Sequence, residues 1–337
     1  MDPFTSKIWI KKIISHHETE KVPFYLNFTP VAKKLVEEYY GRPYEDSIAP
    51  PVVDNGFNSC KPIYADPDVF GKIIRDEFGV AWTTNKFDRG IPVGKCLQTP
   101  DISDYIFPDF TASYRFEGLE DWCKKYVDRY RIIWAGDLWE RATFMRGMAQ
   151  ILEDLILNKT FVYNILEKIT DYILGTVEIL CNNFDFECIA ISDDYGTQKS
   201  LMISPSHWCD FIKPCLKKIY GLVIKYKKDI FHHSDGNIYP VIKELIDMGC
   251  NILHPVQPET MDIFKIKKEF GKYLTICGGL NTQHLLVNCG PEEIISEIRK
   301  LKKKLGHGGG FILGSGLTIQ KDVPFKNIIA MIDEMKN

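Results

Sequence analysis

The sequence predicts an α/β fold: a single (β/α)8 barrel of the TIM type spanning residues 1–337, with helical and loop elaborations near the N-terminus. Three observations carry this reading. In the C-terminal half, short β-branched runs end in polar clusters, and each is followed by an amphipathic helix with its own start and stop signals. Five such β-α units in tandem with short links imply right-handed crossovers and a parallel sheet. The polar residues gather where strands end and helices begin, which in a barrel is the face that carries the active site.

Taken in order, a charged helix follows residues 1–5, and residues 22–27 (VPFYLN) read as the first strand. Residues 50–116, rich in Pro, Asp and aromatics, read as long loops and short strands over the barrel mouth, which leaves the third barrel strand unassigned. Residues 131–136 (RIIWAG) form a strand, and helices follow over 146–157 and from 161 to about 182. The next strand, 187–192 (ECIAIS), ends in Asp193-Asp194-Tyr195-Gly196. Ser204-Pro205 caps a long helix, with Pro at the first helical position, where its missing N–H costs nothing. Strand 229–233 ends in Ser234-Asp235-Gly236-Asn237; Pro240 opens a helix that Gly249 stops. Strand 251–254 leads to a helix over 262–270, and strand 273–277 leads to a helix over 291–305. The glycines of 306–310 (GHGGG) precede strand 311–314, so they read as an αβ turn on the face opposite the site. A last helix covers 327–335.

Composition narrows the function. Hydrophobic residues make up 45% and charged residues 26%, enough apolar area to exclude a disordered chain. A net charge of −3, with Lys and Glu alternating along the helices, lacks the basic stripe that nucleic acid requires. Ten cysteines at irregular spacing without a CxxC pair read as reduced thiols. No stretch reaches about 18 uncharged apolar residues, and the N-terminus lacks the apolar core of a signal peptide. The expectation is a cytoplasmic protein with neither a nucleic-acid nor a membrane partner.

The strand ends supply the candidate chemistry. Asp193 and Asp194, with Glu140 and His233, are the candidate catalytic groups, since adjacent carboxylates at a strand end can split their pKa values into an acid and a base. Tyr195, Gln198, Asp235, Asn237, Gln257 and Trp139 are candidate substrate contacts. His233 and Asp235 have the spacing of half a metal site, which Cys277 or His254 could complete for zinc; Cys277 could also be a nucleophile, and core packing is its favoured reading over either role. His232 and His233 alternate along the strand, so one points into the barrel and the other, structural, towards the helices. Trp82, Tyr105, Phe107, Phe110 and Tyr114 would line a flat ligand or pack a lid. There is no GxSxG elbow, Walker loop or dinucleotide fingerprint at a β-α turn.

The strings ISDDYGTQKSLMISP, HHSDGN, HPVQPE, ICGGLNTQ and GGFILGSG, with VPFYLNFTP and LWERATFMRGM before them, resemble the uroporphyrinogen decarboxylase superfamily, in order and over nearly the whole chain. The resemblance implies a (β/α)8 barrel with its ligand at the strand C-terminal ends. It also implies two branches. Decarboxylases carry an Arg-Gln-Ala-Gly-Arg segment after the first strand, whose arginines bind the porphyrinogen carboxylates; here Tyr25-Leu26-Asn27-Phe28-Thr29-Pro30 has no arginine. Their site aspartate lies in a Phe-Ser-Asp-Ile-like stretch, and the nearest region here is Phe78-Gly79-Val80-Ala81-Trp82. Methyltransferases of the other branch hold zinc by His-x-Cys and a Cys after the last strand, where this chain has His233, Asp235 and the neighbourhood of Leu317. The resemblance therefore favours a methyltransferase-like enzyme that moves a methyl group between a small donor and a corrinoid (cobalamin) on a partner protein, with zinc or no tightly bound cofactor of its own. A decarboxylating lyase acting on a tetrapyrrole and a non-catalytic tetrapyrrole or corrinoid binder are the alternatives.

Overall fold

The computed structural model describes residues 5–55, 71–85 and 88–337. Eight strands form one sheet: β1 (Phe24–Tyr25), β2 (Val52–Asn55), β3 (Tyr130–Asp137), β4 (Cys188–Ser192), β5 (Asp229–His233), β6 (Ile252–Val256), β7 (Thr275–Leu280) and β8 (Phe311–Ser315). Every pairing is parallel, and the order β1-β8-β7-β6-β5-β4-β3-β2 puts chain neighbours side by side. The edge strands β1 and β2 lie against each other, so the sheet wraps into a (β/α)8 barrel. The strand left unassigned is the second, not the third. Val52–Asn55 is only four residues long and follows Pro50-Pro51, so it carries no readable period.

The inward side chains Val52, Ile132, Cys188, Ala190, Phe231, Ile252, Cys277 and Ile312 pack with Tyr25 into the barrel interior. The helix Ser6–Ile14 closes its N-terminal end with Ile10, Ile13 and Ile14. That helix is tied down by charge and by backbone. Lys11 bonds Asp229 at 2.5 Å, Lys7 bonds Glu187 at 2.6 Å, and Gly310 N–H donates to Ile13 C=O at 2.9 Å. Gly309 takes φ 70°, and a Cβ there would sit 2.6 Å from the His17 carbonyl oxygen, so the GHGGG turn receives the end of the plug helix on the face expected for it. A second, larger layer of apolar side chains fills the space between strands and helices.

Several element boundaries differ from expectation for local reasons. The helix expected over 146–157 is present as Met148–Leu157, and a further helix, Trp139–Arg146, precedes it, separated from it where Gly147 takes φ 93°. The helix opened by Ser204-Pro205 widens over 208–212 before continuing as Lys213–Lys225. Part of the 50–116 stretch, residues 56–70 and 86–87, lies outside the described residues. The rest contains an antiparallel sheet of Ile73–Arg75, Ala81–Asn85 and Asp88–Gly94. Asp76 anchors this sheet to the helix after β3: it accepts from Phe78 N, Val80 N and Trp82 Nε1 and pairs with Arg141 at 2.6 Å. The aromatic residues of this region pack rather than line a slot. Trp82 stacks edge-on to Phe144, Tyr105 and Phe107 pack together, Phe110 meets Tyr172, and Tyr114 bonds Glu77. No helix among the described residues is long and apolar enough to cross a membrane.

Two buried polar clusters carry testable energetics. Arg131 on β3 is 1% exposed and gives both its forks to Glu187 (2.8 and 2.9 Å), with Asp185 and the Cys123 carbonyl taking its remaining N–H groups. Arg131→Met leaves the Glu187 charge buried with Lys7 and the backbone N–H of residue 131 as its remaining partners, so denaturant titration is expected to show a loss of about 3–5 kcal/mol, most of it restored by adding Glu187→Leu. On β5, His232 faces outward and is wholly buried between the Tyr195 hydroxyl (2.6 Å from Nε2) and the Tyr220 hydroxyl (2.7 Å from Nδ1). Burial lowers its pKa from 6.5 to about 3, and burial also lowers that of His254. The unfolded chain takes up these protons first, so stability is full above pH 6.5 and falls as the pH drops below it. Between pH 6.5 and about 5, His232→Gln should lower the slope of unfolding free energy against pH by about one proton relative to the parent protein.

Candidate functional site

In a parallel strand, successive side chains alternate between the two faces, so the residues that cap the barrel can be read off by twos. Upward from the interior layer, Ile132 leads to Trp134, Ala190 to Ser192 and then Asp194, Phe231 to His233 and then Asp235, Ile252 to His254, and Val52 to Asp54. A bulge between Trp134 and Gly136 in the β3–β4 ladder shifts the register by one, which sets Asp137 opposite Ser192 at the rim. These residues form the mouth.

His233 is its centre. Its Nδ1 lies 2.9 Å from Nδ1 of His254, and its Nε2 faces Asp194 (3.6 Å) and Asp235 (4.0 Å). Burial favours neutral His254, so a single proton shared by the two Nδ1 atoms orients both rings. Asp194 Oδ1 also accepts from Asp235 N at 2.7 Å, and Gln257 fixes Asp235 by donating to its Oδ1 (3.1 Å) while accepting from Gly236 N (2.7 Å). Ser192 donates to Glu140 Oε2 at 2.7 Å, which brings Glu140 to the rim from the first turn of the helix Trp139–Arg146. On the other side of the mouth, Trp134 donates its indole N–H to Asp54 Oδ2 at 2.9 Å and sets its ring edge-on to His233, centroids 5.7 Å apart. Burial raises the Asp54 pKa, against the pull of that indole N–H.

Ligand atoms of Asp194, His233 and Asp235 all lie within 4.8 Å of one another, half-buried. One imidazole nitrogen and two carboxylates, braced by His254 and Gln257, are a donor set for a hard or borderline divalent cation. No thiol belongs to it. Cys277 is wholly buried in the barrel interior, and burial pushes its thiol pKa far up, so it serves as packing rather than as the third ligand.

Other residues expected at the site stand elsewhere, and pleat parity explains most of them. Asp193 points outward and is wholly buried. Its Oδ1 accepts from the N–H groups of Leu138 (3.1 Å), Trp139 (2.5 Å) and Glu140 (3.1 Å), so it caps the start of a helix instead of acting on a substrate. Burial pushes its pKa up while the three amides pull against it. Tyr195, also outward, is spent on His232, and Trp139 is wholly buried in the outer apolar layer; neither side chain reaches a ligand. Gln198 lies exposed on the turn closed by Thr197 and Ser200. Asn237 bonds the Lys199 carbonyl and Tyr239 N, holding the loop after β4 to the loop after β5. Gly196 and Gly236 make that contact backbone to backbone; a Cβ on Gly196 would lie 2.5 Å from the Asp235 carbonyl oxygen. Asp54 and Trp134 were absent from the expected set. Trp134 was findable, standing two residues above an inward Ile132 on a recognised strand. Asp54 was hidden because its strand was.

The family model described as uroporphyrinogen decarboxylase (URO-D) matches residues 135–337. The uroporphyrinogen decarboxylase of Coxiella burnetii is 22% identical over 280 residues, 79% of this chain and 70% of the relative. That of Wigglesworthia glossinidia brevipalpis is 23% identical over 259 residues, 72% of this chain and 66% of the relative. Among solved structures, a methyltransferase from Methanosarcina mazei superposes with a TM-score of 0.75 at 16% identity, covering 99% of this chain and 98% of that one, a likeness in fold. The family match takes in five of the eight barrel strands whole together with the end of β3, and with them Asp137, Glu140, Asp194, His233, Asp235, His254 and Gln257 of the mouth, and so the chain belongs to the uroporphyrinogen decarboxylase family.

Proposed function

We propose that this family member is a methyltransferase that moves a methyl group from a small donor to a corrinoid carried by a partner protein. The observation that carries the reading is the charge of the mouth. Asp54, Asp137, Glu140, Asp194 and Asp235 gather there, and the neighbouring guanidinium, Arg141, is committed to Asp76 and Asp137. A substrate with many carboxylates would meet repulsion where it needs bidentate guanidinium partners. The methyltransferase fold neighbour agrees with this reading.

The corrinoid would supply the nucleophile that takes the methyl group. The chain's part is to seat the donor and manage the proton at the atom that departs. His233 Nε2, the one imidazole nitrogen left free by the His254 contact, would deliver that proton, with Asp194 and Asp235 stabilising the imidazolium. Glu140, steadied by Ser192, stands near enough on the rim to receive a hydrogen bond from the donor. If a divalent cation is bound, Asp194, His233 and Asp235 would hold it, and it would polarise the departing atom.

The second reading, a lyase that removes carboxyl groups from a tetrapyrrole, is favoured by the curated relatives. One anaerobic assay separates the two. With reduced corrinoid and a panel of methyl ethers and methylamines, methylation of cobalt is expected as an absorbance change, and His233→Ala should lower its rate about 10²–10⁴-fold while leaving the fold intact. Metal analysis of the same two proteins distinguishes a bound cation, lost with His233, from direct proton transfer. Release of CO2 from porphyrinogen without corrinoid, and no cobalt methylation from any donor, would replace the methyltransferase reading with the lyase.

A further inference from the structure

One corner of the mouth is incompletely satisfied. Tyr25, on β1, is 2% exposed, and its hydroxyl makes no well-formed hydrogen bond beyond its approach to the Asp54 carboxyl. It faces the Asp54 carboxyl, whose one indole donor comes from Trp134. Among the described residues Asp54 has no ion pair: Lys33, the cation that bears on it, is bonded to Glu45 at 2.5 Å. The ring of Tyr25 is fixed from below and beside by Phe231 (5.9 Å) and His254 (5.3 Å), so the hydroxyl cannot easily swing to find water. Asp54 itself is half-buried and open to the mouth, beside the half-exposed ring of Trp134. A carboxyl without a counter-cation, an unused hydroxyl oxygen and an indole face are together the surroundings that a small ammonium group satisfies: N–H donors for both oxygens, and positive charge against the carboxylate and the ring.

We infer that the Asp54–Trp134–Tyr25 corner anchors the ammonium group of the donor, and that the substrate class is a small cationic amine bearing a transferable methyl group. This inference rests on the proposed methyl transfer for the identity of the far end of the molecule. Trp134 spans the distance between the two ends, touching Asp54 through its N–H and His233 through its ring, so the ammonium and the methyl-bearing atom are separated by a short chain. The acid at His233 then meets the departing oxygen or nitrogen while Asp54 holds the charge. The remaining rim carboxylates, Asp137, Glu140, Asp194 and Asp235, add a field that favours a cation and disfavours an anion of the same shape.

Three probes of similar size test this by ligand-observed NMR titration in the presence of EDTA: 2-methoxyethylammonium, methyl propyl ether and methoxyacetate, which are cationic, neutral and anionic. The cation is expected to bind at least about tenfold more tightly than the ether, the anion not at all. Asp54→Asn should abolish the preference, and Tyr25→Phe, which leaves the packing intact, should reduce it severalfold. Equal binding of cation and ether, no signal from the cation, or a preference that survives both substitutions would overturn the inference. Cobalt methylation is not read in this titration. A bound cation that never methylates cobalt would count against the transfer reading alone, and methylation from neutral donors without cation preference would count against the corner alone.

Discussion

Everything at the mouth depends on the pleat of eight parallel strands. A residue that points into the barrel has neighbours that point out, and the barrel cannot relax this without breaking a ladder of hydrogen bonds. Adjacent residues are thereby sent to different fates. Asp194 enters the mouth while Asp193 holds the start of a helix. His233 faces the rim carboxylates while His232 is locked between two tyrosines. Asp235 is at the rim while Ser234 stays buried beside Tyr195 N. Each pair uses one residue for the framework and one for the site, so the framework is built within a residue of the groups it must hold still.

That economy shows in how the reactive groups are braced. None of the central side chains depends on a loop alone: His233 leans on His254, Asp235 on Gln257, Glu140 on Ser192, and Asp54 on Trp134. The braces come from the neighbouring strand or the element directly after it, so they move with the barrel. Holding several carboxylates this close is electrostatically unfavourable in the empty mouth. The barrel tolerates it because burial stability is generated elsewhere, in the two apolar layers and in clusters such as Arg131–Glu187.

The regular part of this architecture was open to reading because it repeats. Five strands from Cys188 to Ser315 are each followed by a helix, the first four of them by one with a cap or a glycine stop, and the position of Asp194, His233 and Asp235 at strand ends follows from that pattern alone. What escaped was either short or two-faced. Val52–Asn55 offers four residues after two prolines, too few for a period, and with it Asp54 was lost. Tyr195, Trp139 and Cys277 lie at or near strand ends in sequence, yet that position says nothing about which face of a strand or helix a side chain occupies. Counting by twos is decisive only once a strand's start is known to the residue, and Cys277, at the register shift between Ile276 and Gly278 where β6 pairs with β7, shows how little slack there is.

The plug helix has a further meaning for traffic. With Ile10, Ile13 and Ile14 seated in the lower opening and Lys7 and Lys11 pinning the helix to strand starts, the described residues make the barrel a vessel with one door. Whatever arrives at His233 must leave by the way it came, past the same Asp54 and Trp134. A reaction that joins a small molecule to a group carried on another protein then becomes a matter of queueing: the small molecule has to be seated first, because the larger visitor, once docked over the rim, is itself the stopper.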